Sequence, residues 1–217
     1  VRGIVALLDR MGCTMMLMAP TGRAAKRLGE LCGREAQTIH RALGTTWQDE
    51  QVVFQRSEKD PLEAEAVIVD EMSMVDLPLM SALLSALKPD CRLVMVGDPD
   101  QLPSVGPGNV FGDLIRSGRV ETVARTESFR QAQASAIVRA AHAVNSGQLP
   151  ELKNPPDSDF FFMRRRDPLT AVDLVVELCK TRLPQNMGVE AGQIQVLCPT
   201  RKGEWGTGAL NRALQAA

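Results

Sequence analysis

The sequence has no excess of either charge: 25 Lys and Arg stand against 26 Asp and Glu, for a formal net charge of −1. That balance excludes a protein whose whole surface grips a polyanion. It has no apolar run near the roughly 20 residues of a membrane-spanning helix, which excludes a helical membrane protein. It has no C-x-x-C pair and two histidines, His40 and His142, so a structural zinc site lacks closely spaced ligands. Its five cysteines (Cys13, Cys32, Cys91, Cys179 and Cys198) are odd in number and far apart, and three lie in or beside apolar runs. They read as free thiols of a reducing, cytoplasmic compartment. The start, Val1-Arg2-Gly3, has neither an initiator methionine nor a signal-peptide layout. The 217 residues are therefore expected to be a piece of a longer soluble chain.

What is present is a repeating strand, turn and helix pattern. Thr14–Ala19, Ala66–Asp70 and Arg92–Gly97 are short runs, apolar on both faces, that suit buried parallel strands. Val1–Met11, Arg23–Cys32 and Leu77–Leu87 carry apolar residues at helical spacing. The alternation predicts an α/β domain with helices covering a parallel sheet, whose ligands sit at the carboxyl ends of the strands. Met15, Met16 and Met18 read as core. Thr45–Arg56, with β-branched and aromatic residues on both sides of Asp49-Glu50, predicts a projecting β-hairpin. A second α/β unit is expected after Phe129, with strands at Phe160–Met163 and Gln193–Cys198 and helices at Ser135–Asn145, Ala171–Arg182 and Gly208–Ala216.

Chemistry-bearing residues cluster at the predicted strand ends. Asp70-Glu71 is suited to hold a hydrated Mg²⁺ on nucleotide phosphates and to orient an attacking water, or to cap the next helix as ordinary solvated acids. Val94–Val105 ends a second strand in Gly97-Asp98 and carries Gln101 on a proline-flanked loop, placed to sense a γ-phosphate or simply to turn the chain. Thr21-Gly22-Arg23 leads from a strand into a helix whose N-terminal amides suit a phosphate. Arg23, Lys26, Arg27 and Glu30 then share one face, which is a phosphate track or a solvated stripe. Thr38-Ile39-His40-Arg41 adds common phosphate and sugar contacts. Arg130, in Phe129-Arg130-Gln131, suits a cation reaching across an interdomain cleft, or an interface ion pair. Arg201 and Lys202 precede Trp205, a combination fit for backbone contact and base stacking or for packing. Residues 58–76 hold seven acids and one lysine, whereas 20–41 hold five Lys and Arg and two acids, with a further basic run at Arg164-Arg165-Arg166.

In order, the strings Ala-Pro-Thr-Gly-Arg-Ala-Ala-Lys-Arg-Leu, Thr-Ile-His-Arg, Val-Ile-Val-Asp-Glu-Met-Ser-Met, Val-Gly-Asp-Pro-Asp-Gln-Leu-Pro-Ser-Val, Phe-Arg-Gln-Ala and Leu-Cys-Pro-Thr-Arg-Lys-Gly resemble the motifs of superfamily 1 DNA helicases. The resemblance is to the RecD-like group, which includes the exodeoxyribonuclease V alpha subunit. It implies a RecA-like parallel-sheet domain over residues 1–125, with a small hairpin insertion at about 44–57, and part of a second RecA-like domain over 126–217. It implies an ATP-dependent helicase of DNA repair or recombination, moving 5′ to 3′ on single-stranded DNA and meeting duplex–single-strand junctions, alone or with other subunits of a nuclease–helicase complex. By resemblance Asp70 holds Mg²⁺, Glu71 serves the water, Gln101 senses the γ-phosphate of ATP and Arg130 completes the site. Thr21, Gly22, Arg23, Lys26, Thr38, His40, Arg201 and Lys202 face DNA, and the Trp47–Phe54 hairpin parts the duplex. No G-x-x-x-x-G-K-[ST] phosphate loop occurs in the sequence, so the isolated chain is expected to be inactive. The helicase part of a conjugative relaxase and a non-catalytic nucleic-acid-binding subunit are the alternative readings.

Overall fold

In a computed structural model that describes residues 1–48, 51–124 and 135–217, with backbone alone at 47, 48, 51 and 52, the chain divides into two units, Val1–Thr126 and Glu127–Ala217. The first unit runs α1 (Arg2–Arg10), β1 (Met15–Ala19), α2 (Gly22–Cys32), β2 (Ala36–Thr38) and α3 (Ile39–Ala42). It continues through β3 (Thr45–Gln48), β4 (Gln51–Phe54), β5 (Ala66–Val69), a 3₁₀ turn at Met72–Met74, α4 (Leu77–Ser85), β6 (Arg92–Met95) and α5 (Val110–Ser117). Four strands form a parallel sheet in the order β2-β1-β5-β6, and β3 and β4 pair antiparallel as a separate hairpin.

The period-2 geometry of the strands divides their side chains between two cores. From β1 and β5, Met18, Val67 and Val69 join Ile39, Leu43, Met72, Leu79, Leu83, Val110 and Phe111 on the face covered by α3, α4 and α5. Leu17, Ala66 and Ile68 point the other way, against Val5 and Leu8 of α1 and Leu28 of α2. All four β5 residues are fully buried, which is why the run is apolar without alternation. Truncating Ile68 to alanine is expected to cost about 2–5 kcal/mol. The register of β1 against β5 is pinned at its amino end, where Thr14 N–H and hydroxyl donate to Glu65 Oε2 at 2.7 and 3.1 Å.

The second unit departs from expectation. Its helices are α6 (Ala136–Asn145), α7 (Pro168–Glu177) running into a π turn at Leu178–Arg182, α8 (Leu183–Met187) and α9 (Thr207–Ala216). The strands expected at Phe160–Met163 and Gln193–Cys198 are not formed. A strand exists only as half of a ladder, and here the Phe162 N–H and carbonyl bond instead to the Asn154 side-chain amide, at 2.8 and 3.0 Å. At the second position Glu190 and Gln193 close a capping box that bends Ala191–Gln193 into a 3₁₀ turn. Among the described residues of this unit, Gly206 and Leu210 alone are buried.

Candidate functional site at the carboxyl edge of the sheet

Because the four strands are parallel, the residues that follow them gather along one edge. After β5, Asp70 extends the ladder by donating its N–H to Met18 O at 2.9 Å, and its half-buried carboxylate accepts the Glu71 N–H at 3.0 Å. Glu71 then takes φ 55° and ψ 42°, the one positive-φ non-glycine among the described residues. Such a conformation stores strain, and strain of this kind collects at functional positions. The turn redirects the chain so that Met72 N–H reaches Val96 O, at 2.9 Å, just beyond β6.

This bond stitches the end of β5 to the end of β6 and explains the glycine that follows. A Cβ on Gly97 would lie 3.0 Å from Met72 N and 3.1 Å from the Phe111 ring, so the two strand ends approach this closely only because the position has no side chain. Asp98 next accepts the Asp100 N–H on its carboxylate at 3.0 Å, and its carbonyl accepts the Gln101 N–H at 3.3 Å. These bonds make a tight Asx turn that holds Gln101 exposed above the edge. Asp70, Glu71 and Gln101 therefore ride on the ends of adjacent strands.

The other two strands carry the candidate phosphate contacts. Thr21, beyond β1, has extended backbone and accepts the Ala24 N–H at 3.2 Å, so its hydroxyl starts α2 as an N-cap. Thr38 pairs with Ala19 in the sheet and starts α3 in the same way, accepting the Arg41 N–H at 3.1 Å. Gly22, Arg23, Lys26 and Arg27 are exposed. Lys26 pairs with Glu30 at 3.8 Å, an exposed contact worth about 0.3–0.5 kcal/mol, whereas Arg23 and Arg27 have no ion-pair partner among the described residues. His40 is exposed, and its ring lies 6.1 Å from that of Phe54 while its carbonyl accepts the Thr45 hydroxyl at 2.6 Å. Thus His40 and the base of the β3–β4 hairpin form one joint.

Not every predicted residue is brought to this edge. Arg130 lies outside the described residues, as do the hairpin turn Asp49-Glu50 and the Trp47 side chain. Arg201 and Lys202, both exposed, belong to the second unit. There the Thr200 hydroxyl donates to Lys202 O at 2.6 Å, and Thr200 O accepts the Thr207 N–H at 3.1 Å, folding the loop onto the start of α9. No group of three or more His, Cys, Asp and Glu among the described residues could hold a metal by itself.

Sequence reasoning passed over Asp76, Ser104 and Gly106, which lie where the segment after Gln101 meets the start of α4. Asp76 before Leu77-Pro78 carries a readable N-cap signature, and its carboxylate accepts the Leu79 N–H at 2.9 Å. Asn109 caps α5 by accepting the Gly112 N–H at 3.3 Å. The role of Gly106 has no local signal, because its neighbour Asp76 is thirty residues away in sequence.

Residues 1–107 match a family described as an AAA domain. Over 215 residues, 99% of the chain, the sequence is 35% identical to the ATP-dependent RecD2 DNA helicase of Deinococcus radiodurans, covering 28% of that protein. It is 40% identical over 126 residues, 51% of the chain, to the RecBCD enzyme subunit RecD of Mycolicibacterium smegmatis, covering 23% of it. The chain thus spans less than a third of the length of either relative. Among solved structures, Bacteroides Pif1 bound to single-stranded DNA is similar at 20% identity and a TM-score of 0.45, over 80% of this chain and 48% of that one.

Proposed function

We propose that this chain, which belongs to the RecD-like superfamily 1 helicases, contributes the edge at which a DNA motor hydrolyses ATP and steps 5′ to 3′ along single-stranded DNA in repair or recombination. The observation that carries the reading is the order of chemistry along that edge. Two carboxylates and a tightly held amide loop end the adjacent strands β5 and β6, and two capped helix starts, with cations that have no ion-pair partner among the described residues, end the neighbouring β1 and β2.

On this reading Glu71 orients the attacking water and takes its proton, while Gln101 presents its side-chain amide to the γ-phosphate. Asp70 is the residue that would hold Mg²⁺. It fits because its carboxylate is half-buried at a strand end, and phosphate oxygens and water would supply the remaining ligands. When bound, the ion offsets charge on the transferring phosphoryl group. By the resemblance to the family's motifs we assign Arg130 to add positive charge on the transferring phosphoryl group, and we assign residues 1–125 and 126–217 as two RecA-like domains.

Thr21, Gly22, Arg23, Lys26, Thr38 and His40 contact the DNA backbone, as Arg201 and Lys202 do from the second unit, and the Trp47–Phe54 hairpin opens the duplex at junctions. A RecBCD enzyme subunit among the relatives supports action with other subunits of a nuclease–helicase complex. Five free thiols agree with a cytoplasmic setting, and no described helix is long and apolar enough to cross a membrane.

The test is Glu71→Gln in the full-length protein. ATP and DNA binding are expected to persist while hydrolysis slows at least about 100-fold, since general-base assistance is worth about 10²–10⁴. Near-normal turnover would remove the assignment.

A further inference from the structure

The loop that carries Gln101 does not end free in solvent. Beyond Leu102-Pro103 it folds back onto the start of α4, the helix that follows Asp70-Glu71. Leu77 N–H, one of the first amides of α4 and without an intrahelical acceptor, donates to Pro107 O at 2.9 Å. The Ser104 hydroxyl lies 3.1 Å from Gly106 O and 3.0 Å from Gly108 O, and its single proton is shared between these carbonyls. Gly106 packs directly on the Asp76 side chain: a Cβ there would lie 2.8 Å from Asp76 Cγ and 2.9 Å from its Cβ. Asp76 cannot easily move aside, because its other carboxylate oxygen caps α4 through Leu79 N–H.

We propose that Asp76, Ser104 and Gly106 form a clasp that positions the Gln101 loop against the Asp70-Glu71 turn. The strand ends are already joined by Met72 N–H to Val96 O. With the clasp, the segment from Asp70 to Asp76 and the loop from Gly97 to Gly108 are fastened at both ends, and Gln101 lies on the span between. A glutamine sensing a γ-phosphate works only if its amide is held close to its hydrogen-bonding position, since a misplacement of about 1 Å can cost about 10²-fold in rate. Two anchors fix that position better than the single stitch at Val96. The clasp residues touch neither substrate nor metal; they are positioning residues, and the inference rests on the nucleotide-site reading above.

Two substitutions separate it from that reading in the full-length protein. Gly106→Ala forces the loop away from Asp76. Ser104→Ala removes the hydroxyl and leaves the backbone conformation allowed. Each is expected to lower kcat for ATP hydrolysis about tenfold while changing the KM for ATP less than twofold, because the loop acts on the reacting end of the nucleotide. Ser104→Thr, which keeps the hydroxyl, should restore turnover, and the lowered kcat at a nearly unchanged KM for ATP separates positioning from a general loss of loop stability. Glu71→Gln, assayed alongside, reports on the site itself. If Glu71→Gln abolishes hydrolysis while both clasp variants turn over normally, the clasp is wrong and the site stands. If Glu71→Gln is itself active, the site assignment falls and takes the clasp with it. Should Gly106→Ala fail to fold, the Ser104→Ala and Ser104→Thr pair still decides: equal kcat in the two overturns the proposal.

Discussion

A glutamate in the left-handed region carries a steric penalty that glycine at the same position would not. At Glu71 the Cβ meets the following carbonyl, a clash worth about 1–2 kcal/mol for an L-residue, and part of that gain is lost again because glycine frees the unfolded chain. Glu71→Gly is therefore expected to stabilise the first unit by about 0.5–1 kcal/mol while abolishing hydrolysis in the full-length protein. Calorimetry on the chain would check the first half, and an unchanged or lower melting temperature would contradict it. A gain in stability together with a loss of hydrolysis would support the role proposed for the Glu71 carboxylate. The identity of Asp70-Glu71 as candidates was readable from an apolar run ending in two acids. The backbone twist was not, because nothing local distinguishes Glu71 from any acid after a strand; the twist follows from where Met72 must reach.

Among the elements, the amino end of the sheet is held by a polar contact that responds to pH. Donation from the Thr14 N–H, then from its hydroxyl, holds the Glu65 carboxyl below the usual glutamate range against a small opposing effect of burial, with Arg92 and Lys88 helping. A carboxyl with a lowered folded pKa adds stability above its unfolded value of about 4.3 and loses it as pH falls through the folded value. Melting temperatures measured from pH 7 down to pH 3 should therefore fall more steeply for the natural protein than for Glu65→Gln. Parallel curves would mean the contact is not formed. Strands β1, β5 and β6 were legible because each finds a neighbour, so apolar pattern and pairing agree, whereas the three-residue β2 has no apolar run to mark it. Phe160–Met163 has the same kind of pattern, but there the Phe162 N–H and carbonyl bond to the Asn154 side chain. Composition records the tendency to be a strand and cannot record whether a partner is there.

For the molecule as a whole, the order of elements places Asp70, Glu71, Gln101 and the cations of α2 on one edge, but no phosphate-loop sequence occurs in the 217 residues. Backbone amides and a lysine of such a loop supply much of the grip on β- and γ-phosphates. The chain alone is expected to hydrolyse ATP at no measurable rate, with or without single-stranded DNA, and a longer chain that adds the loop should restore hydrolysis. Equal rates in the two would move the nucleotide site elsewhere and undo the roles of Asp70, Glu71 and Gln101 together. A different consequence follows from the base of the hairpin. Gln55 N–H reaches Leu43 O at 3.0 Å, and Arg56 N–H reaches the same carbonyl at 3.0 Å, so the chain leaves the domain and returns to it at one point. Whatever lies between Gly44 and Gln55 is an excursion whose ends are already tied. Its length and content can therefore change without altering the register of a single strand in the main sheet.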